Sequence, residues 1–239
     1  MILKYPPMKK YYFIPFFLLF ISIGTTFSQT KPSVGYITEK TPVGFESEIN
    51  AFLRKDSASF PPSGAYLFTG SSTIRKWEDL SQDFKEIRII QRGFGGSTMK
   101  ALNYYIDYIV LPYKPGTIVV YEGDNDLPGG VTANEFLAQC DTFVKKVRSV
   151  LPHTMIYFIS IKPSIARQQF LSAQIEINGK LKDLLLKKPY TGFIDITRLM
   201  YDKDGKLRAD LFESDGLHIN KEGYALWAAR IKSTMGINK

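Results

Sequence analysis

Cysteine is almost absent: Cys140 is the only one among 239 residues. A lone thiol excludes an internal disulfide, so stability has to come from a packed core. Histidine is nearly as scarce, with His153 and His218 alone. No internal repeat and no low-complexity tract interrupts the chain. Long basic runs are missing as well. The formal charge of +8 includes Lys4, Lys9 and Lys10 of the acid-free stretch 1–28, and +8 less these three leaves +5. An excess of that size, with nothing to focus it, argues against nucleic acid as a partner. What the chain has in quantity is apolar surface, 44% hydrophobic against 23% charged residues, the composition of an ordinary globular domain. Its length suits one sizeable domain.

The first residues belong outside that domain. Lys9 and Lys10 precede the apolar run from Phe13 to Ile23, and small residues follow up to Ser28. This order predicts a signal peptide over 1–28, with Met8 as the true start and cleavage after Ser28. The run falls short of the ~20 apolar residues of a spanning helix and contains Pro15, so no stable membrane insertion is expected after cleavage. No cysteine lies near the cleavage point to carry a lipid. The expectation is an exported protein, periplasmic or secreted, whose residues 29–239 form a single domain with 29–62 as lead-in and first helix.

Along that domain, apolar runs alternate with helical stripes. Phe45, Ile49, Phe52 and Leu53 suggest a first helix, and Tyr66–Phe68 a strand. Ile74 and Trp77 begin a helical stripe, and Ile87, Ile89 and Ile90 mark a second strand. A helix over 99–109 ends before Pro112, and Thr117–Tyr121 is a nearly continuous β run. Thr132 and Glu135 have capping-box spacing before the stripe Phe136, Leu137, Cys140, Phe143, Val144 and Val147, which reads Cys140 as core and not as a nucleophile. Met155–Ile161 is a further strand. Pro163-Ser164 is expected to open a long helix carrying Leu171, Ile175, Leu181, Leu184 and Leu185. Phe193–Ile196 is the last strand, and Asn220 can cap a terminal helix. Unbroken apolar strands between helices predict an α/β fold, a parallel sheet covered on both faces, with ligands bound at the carboxyl ends of its strands.

Three glycine-bearing loops reach that edge: Gly70-Ser-Ser72, Gly93-Phe-Gly-Gly96 and Gly123-Asp-Asn-Asp126. Ser71 and Ser72 sit where a strand ends and a helix begins, either as plain helix caps or as a hydroxyl placed beside free amides. Asn125 and Asp126 are ordinary turn residues when taken alone. Far downstream, Ser214-Asp-Gly-Leu-His218 precedes the last helix, whereas His153 falls at the opposite edge of the sheet as a surface residue.

In these blocks and their order the chain resembles the SGNH (GDSL-type) hydrolase superfamily. The resemblance covers residues 70–218 and implies a three-layer α/β/α sandwich with a flavodoxin-like parallel sheet. It implies Ser72 as nucleophile, His218 as general base and Asp215 as its carboxylate partner. The oxyanion hole would be the amides of Ser72 and Gly96 and the side chain of Asn125. One position departs from the pattern: Ser71 stands where the family usually has Asp.

Elementary chemistry agrees. A serine hydroxyl needs a base to take its proton, imidazole titrates in the right range, and a carboxylate three positions earlier can fix the tautomer. Such acyl transfer requires no metal and no cofactor. Arg75 is either a solvated or structural arginine or a contact for a substrate carboxylate or phosphate. The expected activity is hydrolysis of short-chain, above all acetyl, esters, with a small ester or acylated glycan as substrate. A lysophospholipase- or thioesterase-like lipid hydrolase and a non-catalytic carbohydrate-binding protein of the same fold are the alternatives. Oligomeric state is not legible.

Overall fold

The computed structural model describes residues 35–237. Five strands form one sheet in the order β2-β1-β3-β4-β5, every pair parallel. They are β1 (Tyr66–Gly70), β2 (Ile89–Gly93), β3 (Thr117–Tyr121), β4 (Met155–Ile159) and β5 (Thr191–Ile194). The helices are α1 (Glu46–Ala58), α2 (Ser72–Arg75), α3 (Leu80–Asp83), α4 (Met99–Ile109), α5 (Ala133–Val150), α6 (Leu171–Leu186) and α7 (Lys221–Met235).

Successive strand residues point to opposite faces, and the core divides accordingly. Leu67, Ile118, Val120, Ile156 and Phe158 pack with α1, α4, α5 and α6 on one side. Phe68, Val119, Tyr121, Ile159 and Ile194 pack with α7 and the short α2–α3 segment on the other. This is the three-layer arrangement that unbroken apolar strands require, since neither face of the sheet meets water.

Caps set several boundaries. The Thr132 hydroxyl accepts from the Glu135 amide while the Glu135 carboxylate accepts from the Thr132 amide, the reciprocal box anticipated for α5. Asn220 accepts from the Gly223 amide at the start of α7. Cys140 is fully buried on the inner face of α5, and burial pushes its thiol well above the ordinary range, which leaves it no nucleophilic thiolate. His153 is exposed at the turn into β4, its ring edge against Tyr190.

Other expectations need correction. The long helix does not begin at Pro163-Ser164: residues Ile165–Phe170 form a kinked 3-10 segment, and α6 starts at Leu171. Its buried face carries Gln174, Ile177, Asn178, Leu181 and Leu185, whereas Ile175 is turned outward and 64% exposed. The stripe assigned to Ile74 and Trp77 is not a continued helix, because α2 ends at Arg75 and Trp77 packs against Phe68, Phe84 and Tyr224 from the following turn. The second strand begins at Ile89, not Ile87, and the last ends at Ile194. Segment 1–28 lies outside the described residues. No helix among the described residues is long and apolar enough to cross a membrane.

Candidate active site

Parallel register brings the first-named loops to one edge. Gly70 pairs with Gly93 on one side and with Tyr121 on the other, so the chain leaves β1, β2 and β3 at the same level. The loops are then stitched together. Ser71 donates its amide to the Tyr121 carbonyl at 3.0 Å, Phe94 to the Gly70 carbonyl at 2.9 Å, and the Asn125 carboxamide to the Ser97 carbonyl at 3.0 Å. Gly70 has φ +129° and its missing Cβ would fall 2.0 Å from the Tyr121 oxygen, so only glycine lets β1 turn this closely past β3.

Ser72 is the first residue of α2. Ser71, the residue before it, is the backbone N-cap, but its side chain makes no capping bond, and its hydroxyl is buried without a partner. The capping explanation for these serines therefore fails for Ser71. The Ser72 hydroxyl instead lies 2.9 Å from Nε2 of His218.

The segment that supplies His218 folds into a tight loop. Phe212 and Ile219 close it by a β-bridge, and Glu213 donates to the His218 carbonyl at 2.7 Å. Within it, one oxygen of Asp215 accepts the amides of Leu217 and His218, both at 2.9 Å, and the other oxygen lies 2.6 Å from His218 Nδ1. A carboxylate only accepts, so Nδ1 carries the proton and Nε2 offers its lone pair to Ser72. Partial burial works against the Asp215 charge, but the His218 ring and these two amides outweigh it and hold the carboxyl well below its usual range. Lys76, just past α2, pairs with Glu213 of the loop at 2.6 Å, and the Tyr224 hydroxyl of α7 donates to the Thr73 carbonyl of α2 at 2.8 Å. Oxygen, imidazole and carboxylate thus stand in line, a geometry that can strip a proton from the hydroxyl and hold it on the ring.

The loops at this edge also carry N–H groups of the kind a developing oxyanion needs. Among the described residues those of Ser72 and Gly96 donate to no other group. Asn125 spends one N–H on Ser97, which fixes the carboxamide and leaves the second free. Arg75 is committed elsewhere: its guanidinium pairs with Glu48 at 3.1 Å while remaining 51% exposed. Donor atoms of Glu213, Asp215 and His218 come within 4.8 Å of one another, close enough to hold a cation. Asp215 and both ring nitrogens are, however, engaged in the line to Ser72, and Glu213 in its pair with Lys76.

Beneath the third loop lies a buried polar layer that sequence reasoning missed. Glu122 accepts from the Ser97 hydroxyl at 2.6 Å, and Asp126 accepts the amides of Met99 and Gly123, both at 3.0 Å. Lys162, wholly buried, pairs with Asp124, which also accepts from Tyr121. The available signal was a cluster of acids directly after the nearly continuous β run Thr117–Tyr121. Burial pushes Asp126 up to about 6, and burial, then the Asp126 charge, raise Glu122 well above its usual range. The native state therefore keeps a proton on Asp126 between about pH 4 and pH 6 that the unfolded chain releases. Stability from this group is complete below that window and is lost as pH rises through about 6. Wild type should lose about 1 kcal/mol relative to Asp126→Asn between pH 5 and pH 7, read from paired urea unfolding curves.

A parallel α/β sandwich with this line of side chains at its carboxyl edge defines the class: a carboxylic ester hydrolase. The GDSL-like Lipase/Acylhydrolase family matches residues 61–226, and the chain belongs to that family. No curated protein matches it in sequence. Among solved structures it resembles a GDSL-like lipase from Bacteroides thetaiotaomicron, with 18% identity, TM-score 0.65, and 79% of this chain and 97% of that one covered. It also resembles a catalytic mutant of Axe2, an acetylxylan esterase from Geobacillus stearothermophilus, with 15% identity, TM-score 0.60 and coverage of 74% and 96%. A lipase/acylhydrolase from Enterococcus faecalis aligns at 19% identity, TM-score 0.54 and coverage of 70% and 93%. At these identities the likeness is one of fold.

Proposed function

We propose that this hydrolase is exported and removes short acyl groups, acetyl foremost, from a small ester or an acylated carbohydrate. The observation that carries the mechanism is the unbroken line from Asp215 through His218 to Ser72, at 2.6 and 2.9 Å. Ser72 Oγ attacks the ester carbonyl while His218 Nε2 takes its proton, and Asp215 stabilises the imidazolium so formed. The amides of Ser72 and Gly96 and the free N–H of Asn125 receive the oxyanion, each contributing roughly 3 kcal/mol at the transition state. His218 returns the proton to the leaving alcohol, and an acyl group remains on Ser72. Water, activated by the same imidazole, then releases the acid.

Export is supported by the basic residues and short apolar run of 1–28. The acetyl preference is supported by the shared fold with an acetylxylan esterase, and an exported enzyme meets polysaccharides. A panel of p-nitrophenyl esters from acetate to palmitate, with acetylated xylan alongside, tests it. The reading expects the highest kcat/KM on acetate and release of acetate from the polymer. A maximum at long chains assigns the enzyme to lipid esters instead.

A further inference from the structure

The helix α1 precedes the family-matched residues 61–226, yet it reaches the active-site edge. Glu48, in its first turn, accepts the amide of Gly95 at 3.0 Å and pairs through the same oxygen with Arg75 at 3.1 Å. Gly95 immediately precedes Gly96. Arg75 lies three positions after Ser72, one turn along the same helix face. Its guanidinium covers Gly95 so closely that a Cβ there would fall 2.5 Å from its central carbon. The docking of α1 is not incidental: Phe45, at its N-terminus, sets its ring edge-on to Phe94 at 5.2 Å.

We infer that Glu48 sets the charge preference of the active site by masking Arg75. An uncompensated guanidinium one helical turn from the nucleophile would recruit esters bearing a carboxylate or phosphate, since Arg forks onto such groups readily. With Glu48 in place the pair is neutral, Arg75 Nη1 is spent on α1, and the rim favours uncharged esters. The single oxygen that does this also steadies the Gly95 amide, so α1 contributes to both specificity and the set of the second loop. This inference rests on the proposed esterase reading.

The test compares p-nitrophenyl acetate, which is neutral, with 4-acetoxybenzoate, an acetyl ester carrying a carboxylate. Glu48→Gln retains an oxygen for the Gly95 amide but removes the charge. It should raise the ratio of kcat/KM for the anionic over the neutral ester by about fivefold, with the gain shrinking as salt rises from 0.05 to 0.5 M. Adding Arg75→Gln should erase the gain. Glu48→Ala, which removes both contacts, should also lower kcat on the neutral ester. A ratio unchanged in Glu48→Gln, or a gain that survives Arg75→Gln, overturns the inference. Failure of the esterase reading is separately visible, because wild type would then show no turnover that depends on Ser72.

Discussion

Ser72→Ala should lower kcat/KM on p-nitrophenyl acetate by roughly 10⁴-fold or more, while leaving the urea midpoint close to wild type. The loss is large because removing the nucleophile removes every step that depends on it. Free amides at Ser72 and Gly96 would still polarise a bound carbonyl, so a residual rate above water is expected from the oxyanion site alone. His218→Ala should fall to a similar level, and the double variant no further, since hydroxyl and imidazole act as one unit. Additive losses in the double variant would mean that the 2.9 Å contact between them is not used in turnover.

The second large effect is on stability. Lys162 is fully buried with its ammonium on Asp124, and Asp124 in turn accepts from Tyr121. Lys162→Met leaves a carboxylate stranded away from water, and should cost about 3–5 kcal/mol. Urea unfolding measures it. Activity should fall as well, because Asp124 immediately precedes Asn125, the proposed oxyanion donor. Removing the stranded charge with Asp124→Asn in the Lys162→Met background should restore a large part of the stability. A double variant as unstable as the single one would place the cost in lost packing and not in the unpaired charge.

Much of this architecture is legible in the amino-acid sequence. Unbroken apolar runs such as Thr117–Tyr121 announce strands buried on both faces, and β3 is buried at every position. The Thr132–Glu135 box and the Asn220 cap are local, so spacing alone reveals them. Ser72, His218 and Asp215 were singled out by the resemblance to the SGNH hydrolases, and topology alone predicted only that the loops after β1, β2 and β3 share an edge. What escaped was of two kinds. The start of α6 slipped because Pro163-Ser164 carries a helix-opening signal that the chain spends on an extended turn and a 3-10 segment instead. The polar layer of Glu122, Asp126, Asp124 and Lys162, and the reach of Glu48 to Gly95 and Arg75, depend on contacts between residues distant in sequence, which no periodicity encodes. Acids in the third loop look like turn formers until burial shows that solvent cannot reach them.

Labelling with a fluorophosphonate, followed by peptide mapping of the intact protein, tests the central assignment most directly. The account predicts one adduct, on Ser72, formed at a rate that collapses in His218→Ala. An adduct on any other residue, or undiminished ester turnover by a protein that takes no label, would contradict it.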